Sequence, residues 1–457
     1  MPHSAADRNL WLAYANAVKE AIQFEPTHGT ALYLSSKAQK GPFASPRIPL
    51  EYTNAGIYEA ANNHLRTRDL FYHPDSRDSY VKSLRTFLQS VDAVSEGARG
   101  DVHISIESCI RELEDSLEIY EKSADKARRT FKKHSDVGMT GDSTFSQWHQ
   151  TNAPAFCNSI RDVEVASDAL LAAGSVLIGP RAQKWNQDLR KLLYAMMSEQ
   201  EIPGMTMPID MDFTLRSGEK AQKLLNKIKL RKKAGPSKVV ACVPAFYCPD
   251  YENVVRDWIG AGRRDEPGDR LYVRYAEGEI ADEGGFGHEE QGNSFKFTYP
   301  PWLSFYVDGH ELPFKAVMQD SDVDITISFD NLRIVKVAPG AWNLDNLSSS
   351  YPRMKAGLST DTKKIAQPHR LVVINNLVLR ISFSGRVVAE VAKQLNRIQY
   401  YGGFLNVLGV SAAIDQDRST DQTSHTATWN AEDGVLEVIP TVDGGFATFI
   451  GTVGKAL

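Results

Sequence analysis

Four cysteines in 457 residues, Cys109, Cys157, Cys242 and Cys248, are too few and too scattered for a disulfide framework or a paired CxxC zinc or redox site. A reducing, cytoplasmic location is the default expectation. Long apolar runs are also missing. The most apolar stretch, Ala169 to Ile178 (ALLAAGSVLI), reaches ten residues before Gly179-Pro180, whereas a membrane-spanning helix needs about 20. The first residues, MPHSAADRNLWLAYANAVKEAIQF, lack the basic start, apolar core and small-residue cleavage site of a secretory signal. No single sign of charge dominates. Lys and Arg number 52 against 57 Asp and Glu, a net charge of -5, so no whole-molecule field drives the chain onto nucleic acid or anionic lipid; such binding needs a local patch. Catalytic motifs with a recognisable spacing are absent too. There is no GxSxG elbow, no HExxH and no Gly-Lys-Ser/Thr phosphate loop, and His310-Glu311 continues into Leu-Pro-Phe.

What is present is ordinary globular composition: 42% hydrophobic and 24% charged residues, with a mean hydropathy of -0.34. Length alone suggests about three domains; the periodicity supports two. Leu10, Trp11, Tyr14, Val18 and Ile22 recur at helical spacing near the start. Residues from about 79 to 235 read as long helices, with Val102, Ile106, Cys109, Leu113, Leu117, Tyr120, Ala124, Ala127 and Phe131 spaced by threes and fours among charged residues. Further helices are expected over 158–179, 180–199 and 217–233, the second opening on Pro180. Together they predict a helical bundle over 1–235, with 25–78 irregular and packed on it.

Past Pro236 the period changes to that of strands. KVVACVPAFY, RLYVRYAEG, SFKFTYPP, WLSFYVDG, DVDITISF, LRIVKVAPG, RLVVINNLVLRISFSG, GVLEVIP and ATFIGTV are short apolar or alternating runs punctuated by Gly, Pro, Asn and Asp. In DVDITISF, Val323, Ile325, Ile327 and Phe329 share one face. Short helices are expected over YENVVRDWIGAG and about 387–397. The fold class is therefore α+β: a long-helix bundle over 1–235, then an antiparallel β-sandwich-like domain over 236–457 with one or two short helices.

Six groups of residues are candidates to carry function. On the helix expected at 217–233, Lys220, Lys223, Lys227 and Arg231 line one face opposite Ala221, Leu224, Leu225 and Ile228. A basic amphipathic helix suits an anionic membrane surface or an acidic partner; its plainer reading is a solvated face that complements the helix dipole. Nucleic acid is the less favoured partner, since no aromatic platform or reading motif lies nearby. In the acidic, glycine-rich stretch EGEIADEGGFGHEEQG, His288 and Glu289 are a candidate polar site, against the plainer reading of a surface hairpin. Asp415, Asp417 and Asp421, in AIDQDRSTDQTSH, can supply oxygen ligands to Ca²⁺ on a loop, with His425 beside them. Asp320, Asp322 and Asp324 fail as an EF-hand opening, because Ile325 stands at the sixth position where glycine is required. Cys242 and Cys248, beside an apolar strand, read as packing residues. The aromatic segment Phe295, Phe297, Tyr299, Trp302, Phe305 and Tyr306, followed by Trp342, Tyr351 and Tyr400-Tyr401, reads mostly as core.

The order of a long helical bundle followed by a β-rich part resembles the layout of α-helical pore-forming toxins, and the resemblance is one of element order alone. The expectation is a non-enzymatic soluble binding or self-assembling protein, a homo-oligomer or the partner of another protein, with conditional membrane association. The alternative is an enzyme with a site in the C-terminal half around His288, Glu289 and Asp415.

Overall fold

The computed structural model describes residues 5–25, 29–42, 44, 48, 50–67, 69–74, 78–92, 100–141, 143–175, 180–198, 200–210, 240–261, 269–274, 299–312, 314, 322–354, 365–414, 423–440 and 447–457. The fold is mixed α+β, helical in its N-terminal part and strand-rich in its C-terminal part. The first part holds α1 (Ala5–Ala21), β1 (Thr30–Lys40), α2 (Leu50–Ala61), β2 (Leu65–Arg66), β3 (Phe71–Tyr72), α3 (Tyr80–Ser90), α4 (Gly100–Asp136), α5 (Phe145–Asn152), α6 (Pro154–Ser175), α7 (Pro180–Met197) and β4 (Thr206–Asp210). The second holds β5 (Val240–Pro244), β6 (Phe246–Tyr247), α8 (Tyr251–Ala261), β7 (Asp269–Arg274), β8 (Leu303–Val307), β9 (His310–Leu312), β10 (Val323–Phe329), β11 (Asn331–Lys336), β12 (Ala338–Pro339), α9 (Leu347–Ser350), β13 (Ile365–Asn375), β14 (Val378–Phe383), α10 (Val387–Tyr401), β15 (Phe404–Val407), β16 (Val410–Ala413), β17 (His425–Asn430), β18 (Val435–Pro440) and β19 (Ala447–Ala456).

Local chemistry explains several of these boundaries. Ser79 caps α3 by accepting a hydrogen bond from the Lys82 amide, and Thr144 with Gln147 forms a reciprocal capping box at α5. Pro154 and Pro180 open α6 and α7, where a missing N–H costs nothing. The expected helix over 217–233 lies outside the described residues, as does the expected strand SFKFTYPP up to Thr298.

Among the described residues, one sheet runs β11-β13-β19-β1-β3 with β2 beside β13, and a second runs β7-β10-β14-β18-β17-β16-β15-β8-β9. The first sheet is buried on both faces. Leu371 and Val373 of β13 join one core with Leu84 and Leu88 of α3, Leu113 and Leu117 of α4, and Trp185 of α7. Val372 and Ile374 of the same strand join a second core with Leu10 and Trp11 of α1, Ile325 and Ile327 of β10, and Val438 of β18. A strand covered on both sides needs a continuous apolar run, which LVVI supplies.

Residues 25–78, expected to be irregular, carry β1, α2, β2 and β3 instead. β1 (TALYLSSKAQK) escapes a period-2 reading because it is apolar on both faces over Ala31 to Leu34 and polar afterwards. It lies between β19, antiparallel, and β3, parallel. Both cores draw on chain from either side of position 235, and β4 pairs with β5 across it.

The two large sheets meet at a bulge. The pairing of β1 with β19 shifts register between Leu34 and Gln39, and Ala38 donates its amide to the Gly409 carbonyl at 2.8 Å. Leu408 and Gly409 join β15 to β16 with φ of 46° and 85°, the positive pair that a type I′ hairpin turn requires.

Candidate functional site

Lys220, Lys223, Lys227 and Arg231 lie outside the described residues, as do His288, Glu289, Asp415, Asp417 and Asp421. His425, expected beside those aspartates, is buried and engaged at both ring nitrogens. Nε2 donates to the Leu377 carbonyl at 2.9 Å, and Nδ1 meets the Ser424 hydroxyl at 2.7 Å. Burial pushes this imidazole down to about 4, so it is a neutral hydrogen-bonding core group at physiological pH. Asp324 pairs in register with Arg274 and Ser382 on neighbouring strands. Among the described residues, no three His, Cys, Asp or Glu side chains converge as a metal site. Of the expected aromatic cluster, Trp302, Phe305, Trp342 and Tyr351 are core, while Tyr400 and Tyr401 are exposed at the end of α10.

A polar cleft of about 170 Å³ is lined by His64, Arg66, Asp78, Lys82, Ser83, Thr86 and Ile365. Small-molecule sites usually run from about 300 Å³ upward. Three of its residues, His64, Ser83 and Arg66, look at first like a nucleophile with its base. The hydrogen bonds run the other way. Arg66 Nε, which can only donate, lies 3.0 Å from His64 Nε2, so that nitrogen carries the lone pair and Nδ1 carries the proton. Nδ1–H then donates to Ser83 Oγ, and the serine hydroxyl donates to the Ser79 carbonyl at 2.7 Å. The imidazole cannot take the serine proton in this arrangement, which a general base must do. Burial, and Arg66 beside it, push His64 down to about 4, which keeps the ring neutral and the orientation fixed. Lys82 is held 3.5 Å from Asp78 on the rim.

The larger feature is the outer surface of α4, about 55 Å long at 1.5 Å per residue. Its inner face, through Ile106, Ile110, Leu113, Leu117, Ala124, Ala127 and Phe131, enters the helical core. α6 packs along it, with Tyr120 against Phe156 at 5.6 Å and Ser123 hydrogen bonded to Ser159 at 2.6 Å. Charge on α4 is segregated along its length. Residues 100–121 hold seven carboxylates and one arginine, whereas 122–136 hold six Lys or Arg and two carboxylates. Beyond this cationic end, the turn exposes Val137 by 69% and Met139 by 71%. A dipole effect accounts for cations in the last turn only; Lys122 and Lys126 lie further back. The segregation is present in the sequence as ESCIRELEDSLE followed by KSADKARRTFKKH, but the apolar stripe of the same helix draws attention to its buried face. The cleft falls partly within residues 25–78, where no period marks it.

Among the described residues, no helix is long and apolar enough to cross a membrane. No known family, no curated protein and no solved structure matches the chain.

Proposed function

We propose that this chain is a non-enzymatic binding or self-assembling protein, and that the cationic end of α4 gives it conditional association with an anionic membrane surface. The observation that carries this reading is the succession of exposed cations and exposed apolar side chains at one end of α4: Arg129 and Lys133 in its last two turns, then Val137 and Met139 in the turn that follows. Cations draw such a surface to anionic headgroups, and the apolar pair enters the headgroup boundary. The basic face expected at Lys220, Lys223, Lys227 and Arg231 would act in the same sense. A sandwich arrangement of the two large sheets belongs to this proposal as well, supported by the core to which both contribute.

The test is co-sedimentation with phosphatidylcholine vesicles, with and without phosphatidylserine. Binding should require phosphatidylserine, weaken with salt, and fall with Val137→Asp plus Met139→Asp or with charge reversal at Lys223, Lys227 and Arg231. Equal binding to both vesicles, or none, overturns the membrane reading.

A further inference from the structure

The outer face of α4 carries a second pattern that shares only Arg129 with the membrane reading. Glu112, Asp115, Ile119, Lys122, Lys126 and Arg129 are all exposed and follow one another at spacings of three and four residues, the ladder along which two helices lie side by side. This ladder is acidic on one side of Ile119 and cationic on the other. Ile119 itself is 56% exposed, an apolar side chain at the middle of an otherwise charged row.

The order of charges selects one arrangement. If two such ladders lie antiparallel about a two-fold axis between Tyr120 and Glu121, each position meets a ladder position of the other copy. Asp115 then faces Lys126, Glu112 faces Arg129, Ile119 faces Lys122, and every contact occurs twice, as a closed two-fold interface requires. A parallel pairing would set Glu112 and Asp115 against themselves and Lys126 and Arg129 against themselves, which is repulsive. The match is between ladder positions as well as between charges, because each facing pair is symmetric about the same point.

We propose that this ladder is an interface between two copies of the chain, paired antiparallel through α4. The proposal rests on the self-assembling reading above and names its partner. Surface ion pairs are individually weak and screened by salt, so the pairing is reversible and belongs to low ionic strength.

Sedimentation velocity of the full chain over a range of concentrations tests it. Dimers should form, and the dissociation constant should rise at least about ten-fold as salt increases from about 0.05 M to about 0.5 M, where the screening length shortens from about 14 Å to about 4 Å. Glu112→Lys with Asp115→Lys leaves the ladder no acidic residue, and Lys126→Glu with Arg129→Glu leaves Lys122, which faces Ile119, as its only cation. Each variant alone should be monomeric, and an equimolar mixture should recover the dimer, which shows that both remain folded. A monomeric wild type, a variant that still self-associates, or a mixture that stays monomeric overturns the interface. The cationic variant should still sediment with phosphatidylserine vesicles, and Val137→Asp with Met139→Asp should still dimerise, so failure of one reading is separable from failure of the other.

Discussion

Tyr80 donates its phenolic proton to Asn343 Oδ1 at 2.7 Å, joining the first residue of α3 to the strand-rich part 263 residues later. Both side chains are buried. Asn343 in turn donates to Asp345 at 3.2 Å and Gln367 at 3.3 Å, and its carbonyl accepts from Lys191 of α7 at 2.9 Å. The Tyr80 ring also meets Trp342 edge-on at 6.0 Å. Tyr80→Phe keeps the ring contact and leaves Asn343 Oδ1 without this donor, at a cost of about 1–3 kcal/mol. Urea unfolding followed by helical circular dichroism and by tryptophan fluorescence should show that loss in one coincident transition. Transitions that separate, with only one of them shifted, would show that the bond does not couple the two parts.

Gly409 is constrained from two sides. Its φ is 85°, and a Cβ there would lie 3.1 Å from the Ser36 carbonyl and 3.2 Å from that of Ser35. Gly409→Val should therefore cost about 1–3 kcal/mol from backbone strain alone, read as a lower denaturation midpoint. Gly138→Val, at a similar positive φ with open space around it, is the control that separates strain from crowding. Equal losses at the two positions would leave the contact with β1 without energetic weight.

His425 makes stability depend on acidity. Its folded value is pushed down to about 4 by burial, while the unfolded imidazole titrates near 6.5. As pH falls through 6.5 the unfolded chain takes up a proton that the folded chain refuses until about 4, so stability declines across that window, by on the order of 3 kcal/mol when complete. His425→Gln, which retains a donor for the Leu377 carbonyl, should make the decline between pH 6.5 and 4 shallower, leaving the part that His64, also pushed down to about 4, contributes. A variant with the wild-type slope would remove His425 from the acid response.

Ser83 and Cys248 should be chemically quiet. The Ser83 proton is committed to the Ser79 carbonyl, and burial pushes the Cys248 thiol up to about 12, far from the range of reactive thiolates. A fluorophosphonate probe should leave Ser83 unlabelled, and iodoacetamide at pH 8 should alkylate Cys248 only after the protein is unfolded in urea. Labelling of native Ser83 would show that the hydrogen bonds can reverse and would reopen an enzymatic reading of the cleft.

The parts of the fold that the sequence makes legible are those with a single buried face. The alternation Val323, Ile325, Ile327 is a strand in the sequence and in the structure, and the spacing from Ile106 to Phe131 is the buried stripe of α4. Burial on both faces erases alternation, which hides β1, and small polar residues hide β17 (HTATWN), whose His425, Thr426 and Ala427 are nevertheless buried. The turn at Asp308-Gly309 has an ordinary hairpin composition, whereas the one at Leu408-Gly409 places an apolar residue at positive φ because Leu408 is buried in the second core. For the candidate sites the limit is convergence. Arg66 and Ser83 meet at His64 only because β2 pairs with β13 and α3 packs on that same strand, and no local pattern announces which nitrogen will carry the proton.

The position of β19 has a consequence for how the molecule comes into being. Val453 pairs with Leu32, and β19 lies between β1 and β13 at the centre of the sheet that both cores share. During synthesis, β1 emerges with no antiparallel neighbour and must wait for some 400 further residues, about 20–80 s at ordinary elongation rates. Throughout that interval Leu32 and Leu34 belong to an unfinished strand edge, a template for aggregation. The sheet that both cores share is therefore closed late in translation, because its central strand is made long after its neighbour β1.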